Sequence, residues 1–151
     1  ALKAQAVIGV QLNPVIGTVS GDPKAIRLIL ENLLMNAIYH GLPLERSPEK
    51  PASIRLIIEP RVLNRGFSIT VEDEGPGIPQ GEAKKVFEPF VRGEASIRGQ
   101  HPGSGLGLHL VKRITGLLGG NVRLESPYLN TIGRSQQGCR FIVELPAVRG
   151  A

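Results

Sequence analysis

Aromatic residues are scarce in this chain: its 151 residues include four Phe, two Tyr and no Trp. The core must therefore be aliphatic, and the stacking platforms on which single-stranded nucleic acids lie have little to be built from. Cysteine is nearly absent. The single Cys139 excludes an intrachain disulfide and a thiolate metal cluster, which fits a reducing compartment. The only methionine is Met35, so no initiator residue is present, and the chain reads as processed or as an excised piece of something longer. Aspartate occurs only as Asp22 and Asp73. No apolar run approaches the roughly eighteen residues of a membrane span, and no signal-peptide pattern opens the sequence.

What is present is the composition of one ordinary domain, 41% hydrophobic and 21% charged. The net charge of +5 permits an acidic partner such as a nucleotide, yet the eighteen Lys and Arg are scattered rather than striped. Nucleic-acid binding is therefore not expected.

Residues 5–12 read as a strand, Asn13-Pro14 as a turn and Gly17 to Ser20 as a short second strand. Asp22-Pro23 supplies an N-cap and a proline at the first helical position. The helix that follows runs to about His40, with Ile26, Ile29, Leu30, Leu33 and Ala37 at helical spacing and Gly41 closing it. A loop over 42–53 leads to strands at Ser53–Glu59 and Phe67–Asp73, joined as a hairpin by a turn holding Asn64-Arg65-Gly66. After the cluster Glu74 to Pro79 comes a short helical stretch at Glu82–Val86, then an irregular segment from Glu88 to Ser104 of the kind that forms lids and binding loops. A helix from Gly107 to about Leu118, stopped by Gly119-Gly120, and strands at Asn121–Glu125 and Cys139–Leu145 finish the chain. This order predicts an α+β domain: a two-layer α/β sandwich whose mixed, mostly antiparallel sheet of about five strands is covered on one face by about three helices.

Glycine is abundant where chemistry is expected. The run Gly103-Ser104-Gly105-Leu106-Gly107-Leu108 enters a helix, where free N–H groups and the positive dipole end favour an anion. It fails both common phosphate fingerprints. A Walker loop needs Lys and then Ser or Thr where Leu108-His109 stands, and a Rossmann turn needs glycine at position 108 and a preceding strand. On the first long helix, Asn32, Asn36 and His40 share one face at spacing four. Asn is a poor interior helix former, so solvated amides compete there with a second reading, in which the Asn36 oxygen is a hard ligand for Mg²⁺. Asp73, followed by Gly75 and Gly77, is either a turn cap or an acceptor for an adenine amino group. Phe87 and Phe90 anchor the base of the irregular segment, from which Arg92 and Arg98 reach phosphates or simply solvent.

Taken in order, these pieces closely resemble the ATP-binding catalytic domain of sensor histidine kinases, in the wider group of gyrase, Hsp90-type chaperones and MutL. Glu31 to Ala37 is similar to the family's N box, Val71 to Pro79 to its first glycine box, Val86 to Gly93 to its F box, and Gly103 to Leu108 to its second glycine box. Gly138-Cys139-Arg140-Phe141 to Leu145-Pro146 looks like its closing strand. The resemblance implies the Bergerat fold as one domain over 1–151, with an ATP lid at about 88–104. It implies that Asn36 coordinates Mg²⁺, that Asn32 supports the metal site, that Asp73 binds the adenine amino group, and that Gly75, Gly77 and Ile78 shape the base pocket. It further implies that Gly103, Gly105 and Gly107 let the lid close, with Ser104 beside them and the N–H groups of Leu106 and Leu108 as donors to phosphate. Arg92, Tyr39 and His40 complete the nucleotide-binding set. Tyr39 stands where many relatives have a basic residue, so a phosphate contact is lost or replaced there, and His40 stands where they commonly have Tyr, either as a phosphate donor or in packing.

Position 32 separates reaction classes. Hydrolysing relatives place a Glu there as general base, whereas Asn32 cannot take a proton. Glu31 is about 100° around the helix and should point elsewhere. The resemblance thus implies a protein histidine kinase catalytic domain that donates the γ-phosphate of ATP to a histidine on a separate dimerisation domain, for relay to a response regulator. None of His40, His101 and His109 looks like that acceptor. The domain is expected to be cytoplasmic and to make no membrane contact itself, whether or not its parent is membrane-anchored. The competing readings are another ATPase of the wider group, an anti-sigma-type serine kinase, and a degenerate docking module.

Overall fold

Helix α1 (Pro23–His40) begins as its sequence dictates: the Asp22 side chain accepts from the Lys24 N–H at 2.9 Å, and Pro23 fills the first helical position. Ile29, Leu33 and Ala37 form its buried stripe. In this computed structural model, which describes residues 6–12, 21–43, 49, 51–89, 107–130 and 132–147, the remaining elements are seven strands, two further α-helices and a single 3-10 turn at Val62–Asn64. The strands and α-helices are β1 (Ala6–Leu12), β2 (Ala52–Pro60), β3 (Phe67–Asp73), α2 (Gln80–Ala83), α3 (Gly107–Leu117), β4 (Asn121–Glu125), β5 (Tyr128–Leu129), β6 (Ser135–Gln136) and β7 (Arg140–Leu145).

The main sheet has five strands in the order β1-β2-β3-β7-β4. Only β1 and β2 run parallel; the other neighbours are antiparallel, as the half-exposed alternation of β3 requires. The expected two-layer α+β arrangement is the observed one, with the buried stripes of α1 and α3 against one face of the sheet. Differences are local. The short helix sits at Gln80–Ala83 rather than 82–86, and the two-stranded β5–β6 hairpin was not foreseen, because two-residue strands carry no readable period. The stretch 17–20 lies outside the described residues.

Period-two alternation decides which side chains of β3 meet the helices. Phe67, Ile69, Val71 and Asp73 fall on the helix side, where Val71 is registered against Leu56 and Phe141, and Asp73 against Ile54. Asp73 is therefore the polar end of an otherwise apolar row. Glu72 points to the other face, where Arg55 (2.9 Å) and Arg140 (2.8 Å) pair with it. Arg140 also pairs with Glu125, and Arg123 and Arg61 both pair with Glu144, so the face not covered by helices is closed by a belt of ion pairs.

Thr115 on α3 is fully buried, and its hydroxyl has no hydrogen-bond partner among the described residues. An orphaned buried hydroxyl costs about 1–3 kcal/mol, and valine has the same shape without it. Thr115→Val is expected to stabilise the domain by about 1 kcal/mol, raising Tm by roughly 2–4 °C in a thermal melt.

Candidate functional site

The site is built where the end of α1 meets the end of β3. Gly41 donates its N–H to Ala37 at 2.8 Å and so closes the helix, but with φ −95° it does not use a left-handed cap. Its glycine serves close approach: a Cβ there would lie 2.5 Å from Asp73 Cγ. Gly75 is likewise pressed on Gly41, with a Cβ placed 2.7 Å from its backbone. The three residues pack with no side-chain atoms to spare, which brings the predicted base-binding Asp73 against the end of the helix that carries Asn32 and Asn36.

Asp73 is buried, and its carboxylate is oriented by the backbone. Oδ1 accepts from the N–H of Gly75 at 3.0 Å and of Cys139 at 3.1 Å. Oδ2 has no donor among the described residues and remains the acceptor. Burial is the largest influence on this carboxyl and raises its pKa, Glu74 adds to the rise, and the two backbone donors oppose it.

Asn32 and Asn36 continue the same face of α1. The Asn32 amide donates to Leu28 O at 2.7 Å, while its Oδ1 lies 3.1 Å from where a Cβ on Gly107 would stand. Asn32 thus touches the first residue of α3. Asn36 is half-buried and makes no hydrogen bond among the described residues, leaving its amide oxygen available. From Gly107 beside Asn32 to Asp73 beside Gly41 the site follows about nine residues of helix, roughly 13.5 Å. A single hard oxygen donor without a surrounding His, Cys, Asp or Glu cluster suits Mg²⁺, which retains waters and takes phosphate oxygens; no such cluster exists among the described residues.

Glu31 is exposed and paired with Arg27 at 2.8 Å, away from the amide face, as its helical angle requires. His40 is half-buried and engaged, Tyr39 is partly exposed, and Leu108 packs against the core. Phe87 stacks edge-on against Phe141 at 6.0 Å, and its carbonyl accepts from His109 Nδ1 at 3.3 Å, so the chain departs toward 90–106 and returns from it at one place. Arg92, Gly103, Ser104, Gly105 and Leu106, with Phe90, Arg98 and His101, lie outside the described residues.

Sequence reasoning missed the residues that hold the far side of Asp73 and the loop after it. Ser126 Oγ accepts from the Ile78 N–H at 2.9 Å and donates to Gly138 O at 2.6 Å. Tyr128 donates to Asp73 O at 3.1 Å, with Arg140 lying 4.6 Å over its ring. Burial, with help from the neighbouring acidic charges, raises the Tyr128 pKa and keeps its hydroxyl a donor. Gly138, at φ +135°, is needed because a Cβ would stand 2.1 Å from Asp73 O. The Cys139 thiol is pushed up to about 12 by burial and by Asp73, so it fills space as a neutral group. The Gly138-Cys139 pair was legible only as the start of a strand, and Ser126 carried no signal at all.

An acidic residue held by the Gly75 and Cys139 N–H groups at a strand end thus lies against the end of an amide-bearing helix, which abuts a glycine-led second helix. The family described as histidine kinase-, DNA gyrase B- and HSP90-like ATPase matches residues 21–149, and the chain belongs to it. The circadian input-output histidine kinase CikA of Synechococcus elongatus is 36% identical over 146 residues, covering 95% of this chain and 17% of that protein. Among solved structures, the mycobacterial sensor histidine kinase MprB superposes with a TM-score of 0.71 at 26% identity, covering 94% of this chain and 82% of that one. Full-length ShkA in complex with AMPPNP superposes at 0.72 with 26% identity, covering 97% of this chain and 26% of that one. The chain thus spans a small part of the full-length relatives it matches. No helix among the described residues is long and apolar enough to cross a membrane.

Proposed function

We propose that residues 1–151 are one nucleotide-binding catalytic domain of a sensor histidine kinase, holding ATP with Mg²⁺ and presenting the γ-phosphate to a histidine on a separate helical dimerisation domain. The observation that carries this is the fixed Asp73 carboxylate, with one oxygen tied by two N–H groups and the other without a donor among the described residues, at one end of the Asn32–Asn36 face. A free carboxylate oxygen accepts from the 6-amino group of adenine and is repelled by the 6-carbonyl of guanine. Gly75, Gly77 and Ile78 form the base pocket beside it. Asn36 would hold Mg²⁺, which when bound neutralises phosphate charge and orients the triphosphate, and Asn32 supports that position.

The triphosphate then runs toward the start of α3, where Gly107 and Leu108 offer N–H groups and the helix dipole. Arg92, Gly103 and Ser104 on a lid over about 88–104, and Gly105 and Leu106 just after it, complete the phosphate contacts, and Tyr39 and His40 flank the metal side. Phosphoryl transfer needs chiefly positioning and charge stabilisation, which this set supplies. With Glu31 turned outward to Arg27 and an amide at Asn32, neither position offers a carboxylate general base, which favours transfer over hydrolysis. A response regulator is the expected downstream acceptor, and the domain is placed in the cytoplasm.

Calorimetric titration with ATP and GTP, with and without Mg²⁺, tests the reading. ATP should bind at least about tenfold more tightly than GTP, a difference of roughly 1.4 kcal/mol. The chain alone should not label itself with γ-phosphate, whereas an added histidine-bearing dimerisation domain should become labelled. Equal affinity for the two nucleotides would overturn the base assignment.

A further inference from the structure

Between β4 and β7 the chain makes an arm, residues 126–139, that carries the small β5–β6 hairpin and folds over the loop from Asp73 to Ile78. Four backbone groups of that loop end on the arm, the first being the Asp73 N–H, which donates to Cys139 O at 2.9 Å. The Asp73 carbonyl accepts from Tyr128 at 3.1 Å, the Pro76 carbonyl accepts from Gln137 Nε2 at 2.9 Å, and the Ile78 N–H donates to Ser126 Oγ at 2.9 Å. The Ser126 hydroxyl is saturated: its proton goes to Gly138 O at 2.6 Å, and the Cys139 thiol lies 3.8 Å from Ser126 Oγ. Gly77, at φ +77°, sits so close that a Cβ would meet Ser126 Oγ at 2.9 Å. The loop's shape is therefore dictated from the arm, and the loop in turn supplies the Gly75 N–H that orients Asp73.

We propose that Ser126, assisted by Gln137, is the positioning residue that sets adenine selectivity in this domain, by holding the Asp73–Ile78 loop in the shape that aims the free Asp73 oxygen at the base. The inference rests on the nucleotide reading given above. Phosphate contacts arise elsewhere, at the start of α3, so loosening the loop reduces the contribution of the base and leaves that of the triphosphate. Ser126→Ala removes the hydroxyl that joins the Ile78 N–H to the Gly138 carbonyl. Gln137 is exposed, and Gln137→Ala removes only its bond to Pro76, without disturbing the core.

The test is calorimetric affinity of this chain for Mg²⁺-ATP and Mg²⁺-GTP in the wild type, Ser126→Ala and Gln137→Ala, with amide exchange read at Ile78. Ser126→Ala is expected to weaken ATP binding about tenfold with GTP little changed, so that the ATP-to-GTP ratio falls about tenfold, and to speed exchange at Ile78. Gln137→Ala should lower the same ratio by about two- to threefold. A merely structural role would lower the folded fraction and leave the ratio where it was. A wild type that prefers ATP, with both variants keeping that preference, overturns this inference alone. A wild type that binds neither nucleotide overturns the nucleotide reading, and this inference with it.

Discussion

Asp73→Asn is expected to weaken ATP binding roughly 100-fold, about 2.8 kcal/mol, while leaving the ligand-free fold intact. The two substituents of the carboxylate carbon have separate tasks. Oδ1 accepts from Gly75 and Cys139, and an asparagine carbonyl does the same. Keeping those two bonds places the amide nitrogen where Oδ2 was, so a donor faces the adenine amino group and the one base-reading bond becomes a repulsion. Stability moves the other way. The Asp73 pKa is raised chiefly by burial, so the folded chain binds this proton more tightly than the unfolded one. The stabilisation from that proton is complete below the unfolded value of about 3.9 and is lost as pH rises through the native value. At neutral pH the wild type carries the cost of a buried charge, and Asp73→Asn does not. Its ligand-free Tm should therefore equal or exceed that of the wild type at pH 7, with the advantage shrinking on acidification. Melts across pH together with ATP titrations check both halves; a variant that binds ATP normally would remove Asp73 from the site.

Asn36→Ala should lower Mg²⁺-dependent phosphotransfer to an added acceptor domain by about 1,000-fold, roughly 4 kcal/mol in the barrier. The amide makes no hydrogen bond among the described residues, and alanine is the better helix former, so the helix loses nothing and gains about 0.5 kcal/mol. The effect should fall on the metal. ADP affinity without Mg²⁺ should stay within about twofold of the wild type, whereas the increase in ATP affinity on adding Mg²⁺ should vanish. Full phosphotransfer by the variant would show that Asn36 is not the ligand. A loss of metal-free ADP binding would show that it serves the base or the fold instead.

Much of the fold is legible in the chain itself. Pro23 after a capping Asp22, the spacing of Ile29, Leu33 and Ala37, and the alternation of Phe67 to Val71 are local rules, and the elements obey them. The orientation of Glu31 follows from helical angle alone, and its pairing with Arg27 agrees. The reason for Gly41 is not legible. Next to a helix end it reads as a left-handed cap, but its φ is −95° and its absent side chain makes room for Asp73, thirty-two residues on. Nor is the hairpin arm, whose strands of two residues are too short for any periodicity and whose Ser126, Tyr128 and Gln137 resemble ordinary loop residues.

The sequence by itself determined the longer elements, the two-layer arrangement, and the order of the motifs that place the chain in its family, because helix and strand periods, caps and glycine clusters act over a few neighbouring residues. Only the tertiary structure decided what orients Asp73. Its partners Gly75, Tyr128 and Cys139 stand two, fifty-five and sixty-six positions away, and the last two meet it only through the β3–β7 pairing and the fold of the arm. Hydrogen bonds that depend on closing such long loops leave no periodic trace in the chain, and it is these bonds that turn a carboxylate at a strand end into a directed acceptor.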